Sequence, residues 1–90
     1  MTNKQTVLQE AESIINGDRR QQYGHPIVNF MRIAQLWEPI LGTNVSAEQV
    51  ALCMIQLKIA RLVHKIDRDG MVDIAGYVGC LALLTGEDEV

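Results

Sequence analysis

The sequence has few aromatic, cysteine and proline residues. Its 90 residues include one Phe, one Trp, two Tyr, two Cys and two Pro. So few aromatic side chains exclude a stacking platform for single-stranded nucleic acid. Cys53 and Cys80 show neither C-x-x-C spacing nor a neighbouring histidine cluster, so we expect both to be reduced thiols in the core.

The chain also lacks a net basic charge. Its formal net charge is −3, and the three acids Glu87, Asp88 and Glu89 at the end of the sequence account for all of it. The rest of the chain has no formal net charge. This balance excludes general binding to nucleic acid through counterion release. The first residues of the sequence contain no apolar run typical of a signal peptide. The apolar segment 71–85 is too short for a membrane span, and it contains the charged residue Asp73. We therefore expect a cytoplasmic protein without membrane contact.

Apolar residues recur at helical spacing along the whole chain, and no segment alternates as a strand does. The pattern predicts an all-α fold, a four-helix bundle-like domain over residues 1–86 followed by an acidic tail over 87–90. Pro26 is typical of a first helical turn, and Ser46 with Gln49 forms a capping box. The first predicted helix spans 4–16 and stops at Gly17. The second starts at Pro26 and is ended by Pro39 and Gly42. The third spans 47–66, and the fourth follows with Asp69 as its cap.

The helical spacing also predicts which side chains form the core. The expected apolar faces are Val7, Leu8, Ala11, Ile14 and Ile15 on the first helix; Ile27, Phe30, Met31, Ile33, Ala34 and Trp37 on the second; and Val50, Cys53, Met54, Leu57, Ala60 and Val63 on the third. Core packing is the default role of Trp37, and stacking on a nucleobase is the alternative.

The fourth helix is apolar on every side and must be covered on every side. It then lies either at the centre of a bundle or between subunits. We predict that the domain forms a homo-oligomer through this apolar C-terminal helix, whose small residues allow close helix packing. Asp73 is costly to bury in such a helix unless it meets a cation. Lys58 or Arg61 is the natural partner. Both belong to a basic stripe on one face of the third helix, formed with Lys65 at spacings of three and four residues.

The polar loop before the second helix is a candidate phosphate site. It brings Arg19, Arg20, Tyr23 and His25 to a helix N-terminus, where unpaired amides and the helix dipole favour an anion. The alternative is a solvated loop whose arginines pair with nearby acids. A Mg²⁺ site is a second possibility, because Asp69 and Asp73 lie four residues apart and Glu48 could join them.

Five short segments together resemble a known family. They are Arg20-x-x-Tyr23-Gly24-His25-Pro26, Asn29-Phe30, Ile33-Ala34-x-Leu36-Trp37, Leu57-Lys58-Ile59-Ala60-Arg61 and Asp73-Ile74-Ala75-Gly76-Tyr77. Over about residues 20–77 the chain resembles a family of small all-helical proteins from phages and prophages. These proteins are similar to MazG-type nucleotide pyrophosphohydrolases, which are helical dimers or tetramers. The MazG metal motifs, Glu-Glu-x-x-Glu and Glu-x-x-Asp, are absent here, and Asp73 alone matches the last acid.

The resemblance implies a protein that holds a nucleotide in a helical cavity without hydrolysing it. Our leading hypothesis is a homo-oligomeric anti-defence sponge in the bacterial host, which sequesters a cyclic or ADP-ribose-derived immune signal and needs no cofactor. Its expected ligand-binding residues are Arg19, Arg20, Tyr23, His25, Asn29, Trp37, Lys58, Arg61, Asp73 and Tyr77. The runner-up is a Mg²⁺-dependent MazG-like pyrophosphohydrolase using Glu48, Asp69 and Asp73, and the third hypothesis is a protein-interaction module.

Overall fold

A computed structural model describes residues 4–17, 21–22 and 24–88 of the chain. All regular structure in these residues is helical, which confirms the all-α prediction. The long helices are α1 (Val7–Asn16), α2 (Pro26–Leu41), α3 (Ala47–His64) and α4 (Arg68–Thr85).

The helix starts follow local capping chemistry. The predicted capping box at α3 is present, with Ser46 Oγ accepting a hydrogen bond from the Gln49 backbone N–H at 3.0 Å. At α4 the predicted cap was wrong. Asp67 is the N-cap, and its Oδ1 accepts from the Gly70 N–H at 2.8 Å, while Asp69 lies in the first turn. A carboxylate caps from three residues before the amide it binds, and Asp67 has that spacing.

The ends of the helices differ slightly from the predicted ends. α2 continues through Pro39, and Gly42 terminates it in the left-handed conformation with φ of 70°. Glu38 secures the following turn, since its Oε2 accepts a hydrogen bond from the Val45 N–H at 3.0 Å. α3 ends at His64, two residues before the predicted end, because Lys65 has an extended backbone.

The main core lies between α2 and α3 and is completed by α4. Its buried residues are Phe30, Ala34, Ala47, Val50 and Ala51, and residues of α4 pack partly against them. α4 also contacts α1, so it touches each of the other three helices. Part of the apolar surface that predicted a position between subunits is therefore covered within the chain.

Several residues predicted for the core are exposed. Cys53, Ala60 and Val63 lie on the outer side of α3, because its buried side is centred on Val50 and Ala51. The prediction that Cys53 is a core thiol was therefore wrong, whereas Cys80 is half-buried. Leu8, Met31 and Leu57 are exposed as well.

Two further features concern α4. Arg68 at its start donates a hydrogen bond to Glu10 Oε1 on α1 at 3.2 Å and another to the Gln5 carbonyl oxygen at 2.8 Å. This exposed pair links the two helices but contributes little energy. Within the described ranges, no helix combines the length and apolar character needed to cross a membrane.

Gly79 allows the close approach of α4 to α1. A Cβ atom at this position would lie 2.5 Å from Ile15 Cδ1, whereas a Cβ atom at Gly76 would meet nothing within 4 Å. The sequence predicted close packing at both glycines, and only Gly79 shows it. Gly76 leaves open space instead.

Gly79→Leu is therefore expected to destabilise the protein by about 1–3 kcal/mol, because the larger side chain overpacks the α1–α4 contact. Gly76→Ala is the matched control. It meets open space and gains about 0.5–1 kcal/mol of helix stability. Urea unfolding followed by circular dichroism measures both free energies of unfolding, and equal values for the two variants would contradict the packing assignment.

Candidate functional site

A cleft of about 190 Å³ lies where the four helices meet. Its walls are mostly apolar and include Phe30 of α2, Met54 of α3 and Ile14 of α1. α4 contributes the opposite wall with residues three and four apart, which share one helix face. These residues are Val72, Asp73, Gly76, Tyr77 and Cys80.

Three polar side chains predicted for ligand binding converge on this cleft. Asn29 comes from α2, whereas Asp73 and Tyr77 come from successive turns of α4, and all three are half-buried. A few polar groups in a concave apolar site are what a small-molecule site needs to orient its ligand. The sequence identified the polar residues, and the fold brings them together.

Asp73 forms the predicted ion pair, and its partner is Lys58. Lys58 Nζ lies 3.0 Å from Asp73 Oδ2, with the side chains 17% and 27% exposed respectively. The pair is thus mostly removed from water, where a lone carboxylate would be costly. Lys58 pairs with Oδ2 of this carboxylate, and Asp73 is at the same time one of the residues that line the cleft.

Tyr77 is positioned by an aromatic contact. Its ring meets Phe30 edge to face, with ring centroids 6.1 Å apart and an interplanar angle of 81°. Edge-to-face pairs add favourable energy beyond the area that they bury. The contact fixes the ring of Tyr77 against α2 in the wall of the cleft.

The first turn of α2 borders the cleft, because Pro26 is one of the lining residues. His25 is the N-cap, and its Nδ1 accepts a hydrogen bond from the Ile27 N–H at 3.1 Å. His25 therefore has a structural role at this helix end. The N-terminal turn carries the positive end of the helix dipole and favours an anion placed beside it.

The other predicted ligand residues do not line the cleft. Trp37 packs against the main core, and Arg61 is exposed in the last turn of α3. Arg19, Arg20 and Tyr23 lie outside the described residues.

The acids proposed for Mg²⁺ are not gathered into a site. Among the residues that the structure describes, no three His, Cys, Asp or Glu side chains are close enough to hold a metal ion together. Glu48 lies in the first turn of α3 and Asp69 in the first turn of α4. Asp73 is already paired with Lys58.

Sequence reasoning missed the role of Gly76. It was assigned to close helix packing, yet it faces the cleft and its missing side chain helps to create the open volume. A glycine inside a helix costs stability, which is a signal that a side chain is excluded there. The sequence alone does not show whether a neighbouring helix occupies the space beside the glycine or whether that space stays open as a cleft.

A larger groove of about 490 Å³ runs along the contact between α1 and α4. It is lined by Leu8, Gly79 and Leu83, with the acids Glu12 and Asp88 among its residues. None of the predicted ligand-binding residues lies in it. Two carboxylates make this groove a poor place for a phosphate.

The fold and the cleft define a small all-helical protein with a mixed apolar and polar cleft between its helices. The chain belongs to the family described as Domain of unknown function (DUF6378), whose model matches residues 6–85. The relatives of this chain support the prediction that it resembles a family of phage proteins.

Two of these relatives are phage proteins. The chain is 42% identical over 78 residues to the Gene 55 protein of Mycobacterium phage D29, covering 86% of this chain and 52% of that protein. It is 47% identical over 78 residues to the Gene 55 protein of Mycobacterium phage L5, covering 84% of this chain and 50% of that protein. The chain thus spans about half the length of these relatives. No solved structure matches it.

Asp73→Ala should lower the free energy of unfolding by about 1–3 kcal/mol, because it leaves the mostly buried Lys58 ammonium without its partner. The cost is below that of a fully buried pair, since both side chains keep some exposure to water. Asp88→Ala, which removes an exposed carboxylate, is the control. Calorimetry measures the melting temperatures of the two variants. Equal melting temperatures would show that the ion pair contributes nothing to the stability of the protein.

Proposed function

We propose that this protein binds a phosphorylated nucleotide, with the nucleoside part in the cleft and the phosphates at the N-terminus of α2. The observation that carries the proposal is the convergence of Asn29, Asp73 and Tyr77 on one apolar cleft that the first turn of α2 borders. A helix N-terminus favours the phosphate, and the adjoining cleft favours the less polar part of the same molecule.

The polar groups suit a nucleoside. The Asn29 amide both donates and accepts hydrogen bonds, and the Asp73 carboxylate accepts them from an amino or hydroxyl group. Phe30 and Met54 offer apolar surface to a base. A volume of about 190 Å³ is below the roughly 300–1,000 Å³ of sites for drug-sized ligands. The cleft therefore accommodates one ring system or a sugar, and the phosphates remain outside it.

Basic residues support the placement of the phosphates. Arg19 and Arg20 precede α2 by only a few residues in the sequence. Lys58 adds a cation next to the cleft, because it is paired with the lining residue Asp73. Charge-assisted hydrogen bonds from arginine to phosphate are among the stronger polar contacts in proteins.

The ion pair favours binding over hydrolysis. A MazG-like Mg²⁺ site would require Asp73 as a metal ligand, and Lys58 Nζ lies 3.0 Å from that carboxylate. A cation already neutralises the only acid of this chain that matches the enzyme motif. We therefore favour sequestration of a nucleotide immune signal in the host cytoplasm. The binding protein would be a homo-oligomer in which α4 contributes to assembly. Relatives encoded by phages are compatible with such an anti-defence role.

Closing the cleft should abolish binding. Gly76→Leu places a side chain in the cleft at a position where an added Cβ meets nothing within 4 Å, so the protein should fold and lose its nucleotide-dependent rise in melting temperature. Val78→Leu, on an exposed position of the same helix, is the control and should keep the rise. A panel of cyclic, linear and ADP-ribose-type nucleotides is screened with and without Mg²⁺. An unchanged shift in Gly76→Leu would place the ligand elsewhere.

Removing the phosphate contacts should weaken binding without changing assembly. Arg20→Ala and Lys58→Ala are each expected to lower nucleotide affinity by about 10- to 150-fold, which corresponds to about 1.5–3 kcal/mol for a charge-assisted hydrogen bond. Calorimetric titration measures the affinity, and circular dichroism checks that Lys58→Ala remains helical despite the broken ion pair. Nucleotide released by heat denaturation should be chemically unchanged. Recovery of monophosphate and pyrophosphate would instead establish a pyrophosphohydrolase.

A further inference from the structure

The outer side of α3 is an apolar stripe without charged residues. Six exposed side chains follow one another at three- and four-residue spacing, which places them on one face of the helix. We call them the α3 stripe: Leu52, Cys53, Gln56, Ile59, Ala60 and Val63. Leu52 is 51% exposed and Val63 is 84% exposed.

Such a face is unusual for a helix in contact with water. A solvated helix face normally carries charged residues, as α1 does at Glu12 and α2 does at Arg32, both exposed. An exposed apolar patch marks an interaction surface when it is contiguous. The α3 stripe extends over about three helical turns and is interrupted only by the uncharged amide of Gln56.

We propose that the α3 stripe binds the α3 stripe of a second copy of this chain in antiparallel orientation, with Gln56 at the two-fold axis. Leu52 and Ala60 lie four residues on either side of Gln56, and Cys53 and Ile59 lie three residues on either side. Antiparallel pairing therefore brings Leu52 level with Ala60, and Ile59 level with Cys53, of the other copy. Large and small residues at facing positions allow two helices to interdigitate.

The central amide and the charges at the helix ends support the same arrangement. A glutamine amide carries donors and an acceptor, so two copies of Gln56 can satisfy each other across a two-fold axis. Exposed Glu48 lies before the stripe, and exposed His64 and Lys65 lie after it. Antiparallel pairing brings the acidic end of one α3 to the basic end of the other, whereas parallel pairing would bring like charges together.

This interface is distinct from an interface through α4. Within the protomer, α4 is in contact with α1, α2 and α3. The α3 stripe, in contrast, lies opposite the buried residues Val50 and Ala51. The inference depends on the exposed pattern of α3 alone and holds whether or not the cleft binds a nucleotide.

The first experiment measures the mass of the protein by light scattering at micromolar concentration. The unaltered chain should have the mass of a dimer or of a higher even-numbered oligomer, and the double variant Ile59→Glu/Val63→Glu should lose the association through this face. Both positions are exposed in the protomer, so circular dichroism should show unchanged helicity. Val28→Glu, at a similarly exposed position of α2, should leave the association intact. A monomeric unaltered chain, or dissociation by Val28→Glu alone, would overturn the inference.

The second experiment determines the orientation by disulfide formation. Leu52→Cys and Ala60→Cys are made separately in a Cys53→Ser background, which itself provides the baseline. Antiparallel pairing predicts that an oxidised mixture of the two variants forms the mixed disulfide in preference to either self-disulfide. Preferential self-disulfides in each variant would demonstrate parallel pairing and contradict the proposed axis, and no disulfide above the baseline would place the interface elsewhere.

Discussion

The packing of α4 against the other three helices determines most of this structure. An α-helix that is apolar on every side is stable only when every side is covered, and a short chain has few elements to cover it. α3 contacts α4 most extensively, α1 approaches it at Gly79, and α2 meets it through Phe30 and Tyr77. These contacts leave one part of α4 open as the cleft, while Val78 on another side of the helix is exposed to water.

The carboxylate of Asp73 shows how this arrangement creates a site. A charge in an apolar helix requires a partner, and only a cation from a neighbouring helix can approach it from the covered side. Lys58 of α3 provides that cation at 3.0 Å. The pair therefore stabilises the α3–α4 contact and at the same time presents a polar group to a mostly apolar cleft.

The protomer leaves much of its apolar surface exposed. Its radius of gyration is 14.0 Å, whereas a compact chain of this length would have about 12 Å. Large apolar side chains such as Leu36, Ile40 and Val63 are more than half exposed. A surface of this kind favours association with further protein, and the uncharged face of α3 is its most regular part.

The sequence by itself determined the helices and their caps, because capping boxes, glycine terminators and helical periodicity act over a few neighbouring residues. It also determined that Asp73 needs a cation, because the cost of burying a charge does not depend on the details of the fold. The presence of four helices and the pairing of Asp73 with a cation of α3 were predicted for this reason, although the sequence left Lys58 and Arg61 open as the partner. The first helix begins at Val7, three residues after its predicted start, and the cap at α4 was misassigned by two residues.

Only the tertiary structure decided which side of each helix is buried and which glycine faces a neighbour. α3 has apolar residues around most of its circumference, so periodicity could not separate the buried side at Val50 from the exposed side at Val63. Gly76 and Gly79 are equivalent in sequence, yet one opens a cleft and the other receives Ile15. These differences arise from the positions of other helices, which no local pattern in the chain specifies.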